Sequence, residues 1–232
     1  MNVIITGGSK GFGKAMAEKF AAAGNDLFLC ARNENLLKET QLHLQSLFPG
    51  INIQIKKTDL SISGELTEFA DWCLSFGQPG ILINNAGSFL QGNVFDEPEG
   101  YMEEMMQVNF FSAYHLTRKL LPAMIAAGSG HIFNICSVAS LKAYKGGGSY
   151  SVSKFALLGF THNLREELKT KNIKVTAVIP GAAYTDSWKQ SGLDEKRFMQ
   201  DKDIAEMVFA ASRLSPSACV EEIVMRPQLG DI

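Results

Sequence analysis

Short runs of β-branched and large apolar residues recur near 2–6, 26–31, 51–58, 80–84, 131–136, 173–179 and 221–225, and segments of helical periodicity separate them. The helical segments fall near 12–23, 34–47, 64–76, 98–127, 150–170 and 202–212, the fourth long enough to be broken once. This alternation constrains the fold more than any other feature. Each helix must carry the chain back across the sheet before the next strand starts, which gives parallel strands with helices on both faces. The strands agree: Ile81-Leu82-Ile83 and the run from Val175 to Ile179 are apolar at consecutive positions, as in strands covered on both faces. The expectation is an α/β fold, a doubly wound sheet of about seven parallel strands. Nothing divides the 232 residues into two units, and a chain of this length fits one α/β domain spanning 1–232. Periodicity fades only over 182–201, after the sixth strand. Ligands bind at that end of such sheets, so this stretch is the candidate substrate loop; a plain surface loop with one small helix is the alternative.

Composition narrows the function. A net charge of -2 gives no general electrostatic reason to bind nucleic acid or an anionic membrane. No apolar run approaches the about 18 residues of a membrane span. Cys30, Cys73, Cys136 and Cys219 are scattered without a CxxC pair, and His43, His115, His131 and His162 lack metal-ligand spacing. Neither a disulfide framework nor a zinc site is expected, and a reducing compartment, the cytoplasm, fits best. The apolar run Val3-Ile4-Ile5 leads straight into a glycine motif, so a cleavable leader would remove part of the domain.

That motif is Thr6-Gly7-Gly8-Ser9-Lys10-Gly11-Phe12-Gly13, between the first strand and the first helix. Glycine lets backbone N–H groups approach a pyrophosphate closely, and the helix N-terminus adds partial positive charge. An acidic residue about 20 positions on would bond the ribose 2′-hydroxyl of NAD. The count from Gly11 lands on Ala31, with Arg32 next. An aspartate there would repel a 2′-phosphate, whereas an arginine can grip it through two hydrogen bonds. Arg32 therefore points to NADP(H), with Lys10 as a second cation; a solvated loop cation is the plainer reading of Arg32.

A second motif is Tyr150-Ser151-Val152-Ser153-Lys154. Positions i and i+4 share a helix face, so both functional side chains can point into one cleft. A carbonyl that accepts hydride must also receive a proton, which a tyrosine can donate. A nearby ammonium favours phenolate, so Lys154 is expected to lower the tyrosine's pKa.

The TGxxxGxG spacing at Thr6–Gly13, Asn84-Asn85-Ala86-Gly87 after the fourth strand, the YxxxK at Tyr150 and Pro180-Gly181 with Thr185 together resemble the short-chain dehydrogenase/reductase family, over nearly the whole chain. The resemblance implies a Rossmann-type fold and a hydride transfer between NADP(H) and a small-molecule carbonyl or alcohol. It implies a catalytic set of Asn109, Ser137, Tyr150 and Lys154, with Ser137 donating to the substrate oxygen and Asn109 holding a water in a relay to the lysine. Lys154 would also hold the nicotinamide ribose. The cofactor would touch Gly7, Ser9, Lys10, Gly11, Phe12, Gly13, Arg32, Asp59, Leu60, Asn85, Ala86, Gly87, Tyr150, Lys154, Pro180, Gly181 and Thr185. Asp59 would accept from the adenine amino group; a simple helix cap is its rival reading. The resemblance also implies a homodimer or homotetramer, paired through the two long central helices. A different class, a sensor that binds NADP(H) without turnover, usually lacks the tyrosine or lysine, and this chain keeps both.

Three departures stand out. Lys145-Gly146-Gly147-Gly148 is unusually glycine-rich, so that wall of the cleft is expected to be open or mobile. Ala183 stands where a larger aliphatic residue is common, which would loosen contact with the nicotinamide. The C-terminus lacks the VDGG ending of the acyl-carrier-protein ketoreductases. Phe89, Tyr144, Tyr184 and Trp188 near the cleft point to an apolar or aromatic carbonyl compound.

Overall fold

A computed structural model describes residues 1–184 and 192–231. Thr185 and Trp188, both expected near the site, lie outside the described residues. Seven strands form one parallel sheet: β1 (Asn2–Thr6), β2 (Asp26–Ala31), β3 (Ile53–Lys57), β4 (Pro79–Asn84), β5 (Gly130–Ile135), β6 (Ile173–Pro180) and β7 (Glu222–Met225). Their order is β3-β2-β1-β4-β5-β6-β7, all neighbours parallel. Between them run α1 (Gly11–Ala22), α2 (Glu34–Leu47), α3 (Ser63–Leu74), α4 (Tyr101–Met106), α5 (Ser112–Ala127), α6 (Gly148–Leu168) and α7 (Asp201–Ser212). The expected fold class is the observed one, with element ends within about three residues.

Successive side chains along each strand serve opposite faces, as a period of two requires. Val3, Ile5, Leu27 and Leu29 join Met16 and Phe20 of α1, Leu37 of α2 and Val208 of α7. Ile4, Phe28, Leu82 and Ile132 join Phe69 of α3, Leu116 of α5 and Leu164 of α6. Residues such as Phe20, Phe69 and Phe133 are fully buried. Cutting one back to alanine costs about 3–5 kcal/mol, so both faces hold the sheet rigidly beneath its loops.

The chain reverses its direction of travel between β3 and β4, so β1 and β4 are neighbours whose following loops part in opposite directions. That divergence opens a crevice at the carboxyl ends of the strands, the general ligand position in open α/β sheets. The long helical segment expected over 98–127 is interrupted at Gln107–Phe111, which forms a π-helical turn between α4 and α5. Such turns occur as single insertions and gather at functional sites.

Candidate active site

The glycine loop lies beside that crevice. Gly7 has φ +66 and Gly11 φ +52, in the left-handed region that favours glycine. A Cβ on Gly13 would press on the Gly7 carbonyl and stand 2.6 Å from Asn85 Nδ2. The helix is thus drawn against the loop as far as backbone allows. Asn85 fixes the other side: its Nδ2 donates to the Thr6 carbonyl (2.8 Å) and the Gly7 carbonyl (3.2 Å). Thr6 Oγ1 accepts from the backbone N–H of Asn85 and of Ala86, both at 2.9 Å. Sequence reading missed Thr6, which ties the ends of β1 and β4 together. The Ser9 carbonyl accepts from Thr40 Oγ1 on α2. At the start of α1 the cap position is Lys10, with no side-chain cap and no acidic residue in the first turn. The first N–H groups of Gly11, Phe12 and Gly13 therefore start a helix whose positive end has no negative side chain of its own.

Ala31 ends β2, and the exposed Arg32 follows. Asp59 is held below its ordinary pKa: burial raises it, but hydrogen bonds from the Ser61 hydroxyl and N–H, with the Arg32 charge, outweigh burial. Asp59 Oδ1 accepts from Ser61 Oγ at 2.6 Å and Ser61 N at 3.0 Å. Asp59 does not stand at the cap position of α3, which is Ile62 with no side-chain bond; its carboxylate closes the turn before that helix, and its N–H donates to Glu65 in the helix's first turn. Leu60 turns its side chain into the core between β2 and α3, so only its backbone is left to border an adenine.

Ser137, Tyr150 and Lys154 come together above the ends of β5 and β6. Ser137 follows β5 and caps a short 3-10 turn over Val138–Ser140, its Oγ accepting from Ala139 N at 3.1 Å. The same serine lies close enough to the Tyr150 phenol to draw its pKa down. Lys154 is 5 % exposed and its Nζ donates to the Ile135 carbonyl at 2.8 Å, 5.8 Å from the centre of the Tyr150 ring. The Phe89 ring meets Tyr150 edge to face at 4.9 Å.

The pKa of Tyr150 moves opposite to the sequence expectation. Burial pushes it up from 10.0 to about 12, and Ser137 only partly offsets this. Burial likewise pushes Lys154 down from 10.5 to about 8. Desolvation penalises the charged form of each group. It wins here because the lysine's bond goes to a backbone carbonyl and not to the phenol oxygen. At neutral pH the phenol is fully protonated, poised as a proton donor.

Asn109 sits within the π-helical turn and is 1 % exposed. Its side chain is fully engaged, accepting from Ser88 N (2.8 Å) and donating to the Ser88 carbonyl and Ser153 Oγ (3.0 Å each). That ties the loop after β4 to α6 one residue before Lys154. Gly87 lies between the two groups: a Cβ there would stand 3.0 Å from Asn109 Oδ1 and 3.6 Å from Lys154 Nζ. Beneath the site runs a buried chain that sequence reading glimpsed only in part. Asn84 Nδ2 donates to Thr117 Oγ1 (3.0 Å) and Asn134 Oδ1 (2.8 Å), and Asn134 Nδ2 donates to Thr161 Oγ1 (2.9 Å). It bolts β4, β5, α5 and α6 together under Lys154.

Pro180 is the last residue of β6, one further than expected, paired in register with Met225. Its missing N–H faces away from β7, and the ladder carries on past it, Gly181 N donating to the Met225 carbonyl in step with Ala177 N and the Glu221 carbonyl. Gly181 packs against Pro227, where a Cβ would stand 3.2 Å from its ring. Ala183 is buried and pairs with Met199, so it packs inward at the base of the 182–201 stretch. The wall at Lys145–Gly148 is not open: Gly146 N donates to Asn93 Oδ1, and Gly92 N to the Gly146 carbonyl.

A doubly wound parallel sheet with a glycine loop at its switch point, and a half-buried tyrosine and a buried lysine one helical turn apart above it, defines a class of α/β oxidoreductase. The sequence profile of the short chain dehydrogenase family matches residues 1–196, and the chain belongs to that family. Among its relatives, a sepiapterin reductase of Chlorobaculum tepidum is 32% identical over 99% of this chain and 97% of its own length. An uncharacterized oxidoreductase of Staphylococcus saprophyticus is 30% identical over 97% of this chain and 96% of its own. A metagenomic short-chain oxidoreductase solved in complex with NADP superimposes with a TM-score of 0.86 at 29% identity, covering 98% of this chain and 97% of that one. Among the described residues, no helix is long and apolar enough to cross a membrane and no cluster could hold a metal.

Proposed function

We propose that this chain is an NADP(H)-dependent oxidoreductase that interconverts a carbonyl and the matching secondary alcohol of a small molecule. The observation that carries the reading is the meeting of Ser137, Tyr150 and Lys154 in one cleft beside the glycine loop, with Lys154 Nζ 5.8 Å from the Tyr150 ring and Ser137 close enough to the phenol to draw its pKa down. The chain fits a dinucleotide phosphate. The uncapped, acid-free start of α1 suits a pyrophosphate. Arg32, next to Ala31 and with Lys10 in the glycine loop, suits a 2′-phosphate. Two such contacts at about 1.5–3 kcal/mol each favour NADP over NAD by on the order of a hundredfold or more. The NADP carried by the metagenomic relative supports the same choice.

The bound nicotinamide supplies or accepts the hydride. The chain handles the proton and the charge. Tyr150, protonated at neutral pH, donates to the substrate oxygen. Ser137 donates its hydroxyl to that oxygen and stabilises the negative charge as it develops. Lys154, with a pKa pulled to about 8, stays charged at neutral pH and attracts the phenolate left behind. Asn109 holds the segment after β4 against α6, and Gly87 leaves room between Asn109 and Lys154. Asp59, Leu60, Pro180 and Gly181 border the dinucleotide, and Thr185 is assigned to its carboxamide end on family pattern alone.

Phe89 and Tyr144, 40% and 46% exposed, favour an apolar or aromatic carbonyl substrate. The 182–201 stretch is kept as the candidate substrate loop, and Met199 pairs with Ala183 within its described residues. Residues 1–232 act as one domain. A homodimer or homotetramer follows from the family pattern, and the scattered cysteines fit the cytoplasm.

The test is NADPH consumption by the purified protein across ketones, aldehydes, quinones and acyl thioesters, repeated with NADH. The expected result is turnover of at least one apolar or aromatic carbonyl, with NADPH preferred. Tight NADPH binding without turnover anywhere in the panel would favour a sensor instead.

A further inference from the structure

The α6 helix carries both Tyr150 and Lys154, yet its own sequence does nothing to finish its first turn. The cap position is Gly147, which has no side chain, and the first turn holds no acidic residue. The N–H groups at the start of a helix need acceptors, and a negative charge there is favoured. The acceptor comes from fifty residues upstream. Glu97, on the segment after β4, accepts from Ser149 N at 3.1 Å and from the Ser149 hydroxyl in a short hydrogen bond. Ser149 is the residue immediately before Tyr150.

The glycine run exists to make room for this carboxylate. A Cβ on Gly148 would stand 2.5 Å from Glu97 Oε2 and 2.5 Å from the Gly92 carbonyl oxygen, and its φ is +29. A Cβ on Gly92 would stand 2.6 Å from Glu97 Cβ. The two strips also pair directly through a Gly92–Gly147 bridge, and Asn93 bonds both Gly146 N and Asp96. The segment that begins at Phe89, against the Tyr150 ring, thus ends by clasping the turn that presents Tyr150.

We propose that Glu97 is a positioning residue for Tyr150: a carboxylate borrowed from a neighbouring loop that fixes the first turn of α6, and with it the direction of the phenol. The proposal rests on Tyr150 being the acid of the reaction. A general acid gains its 10²–10⁴-fold effect only when its proton lies within hydrogen-bond reach of the reacting oxygen, so a slackened first turn lowers kcat and leaves NADPH affinity alone.

The experiment compares Glu97→Ala, Glu97→Gln and Gly148→Ala in the full chain. It measures kcat and KM, NADPH affinity by fluorescence, and amide hydrogen exchange over 148–152. Glu97→Ala is expected to lower kcat about 10–100-fold, with NADPH affinity within about twofold and faster exchange at 148–152. Glu97→Gln keeps an acceptor of the same shape and recovers most of the loss. Gly148→Ala expels the carboxylate and also crowds the Gly92 carbonyl, so it loses at least as much as Glu97→Ala, and the double variant is no worse than Gly148→Ala alone, since the Glu97 contact is already broken. Unchanged kcat in Glu97→Ala, a matching loss of NADPH affinity, or failure of glutamine to rescue would overturn the proposal. If exchange quickens in Glu97→Ala but Tyr150→Phe keeps full turnover, the clasp is real and the assigned acid is wrong; the positioning role then falls with that assignment.

Discussion

Burial perturbs titratable groups at both ends of the central strands, and the two ends use it differently. At the carboxyl ends, Tyr150 is pushed up to about 12 and Lys154 down to about 8. At the amino ends of β5 and β6, His131 is pushed down to about 3 by burial, with a smaller push from Lys174. His131 is held by packing and one hydrogen bond: it stacks on Phe133 at 3.9 Å and its Nε2 meets Thr176 Oγ1 at 2.7 Å, while its Nδ1 is buried without a partner. Since Thr176 donates to the Val220 carbonyl, the imidazole is the donor to Thr176. A shifted pKa marks a functional site only in company. Tyr150 and Lys154 have a glycine loop, an approachable backbone and an adjoining crevice; His131 has only core around it.

The comparison breaks first at the lysine. Lys154→Met should lower turnover by roughly a thousandfold. It should also stabilise the protein by about 2 kcal/mol at pH 7, because the fold no longer holds a cation whose pKa it depresses. Chemical denaturation beside steady-state kinetics checks both; a destabilised variant would mean that the charge is structural. Arg32→Asp comes next. It should erode the NADP over NAD preference by on the order of a hundredfold, seen in kcat/KM with each cofactor, since it exchanges an attraction for a repulsion at one oxygen cluster.

At the other end of the strands the expected effect is on stability alone. The folded state refuses His131 a proton that the unfolded chain accepts below its ordinary 6.5. Its contribution is therefore complete above that pH and is lost progressively as pH falls from 6.5 towards 3. Between pH 7 and 5 the protein should lose about 2 kcal/mol through this group. His131→Gln should flatten that slope in urea titrations without changing turnover per folded molecule. The smallest effect returns to the site. Reduction should fall about fivefold between pH 8 and 9, as Lys154, with its pKa of about 8, loses its proton. A flat profile to pH 10 would mean that its charge does not matter to the rate-limiting step.

The sheet was legible because it rests on local pattern: consecutive apolar positions and helical periods place all seven strands within about two residues. The glycine loop was legible because strand, glycines and helix are contiguous. What could not be read depends on contacts distant in sequence or on sums of opposing terms. Glu97 reaches Ser149 across 52 positions, with no period to announce it, so the glycine run looked like an open wall when it is a closed one. The direction of the Tyr150 shift needed its burial weighed against an ammonium that is turned to the Ile135 carbonyl. Asn109 was found by motif, but its bonds to Ser88 and Ser153 depend on a π-helical turn that no local residue type dictates.

The central claim is that Tyr150 delivers the proton in an NADPH-dependent carbonyl reduction, and Tyr150→Phe tests it most directly. NADPH affinity and single-turnover NADPH oxidation would be measured on the same samples of parent and variant. The account predicts NADPH binding within about threefold of the parent and a loss of turnover of a hundredfold or more. Turnover that survives in the bound variant would contradict it and move the proton donor elsewhere.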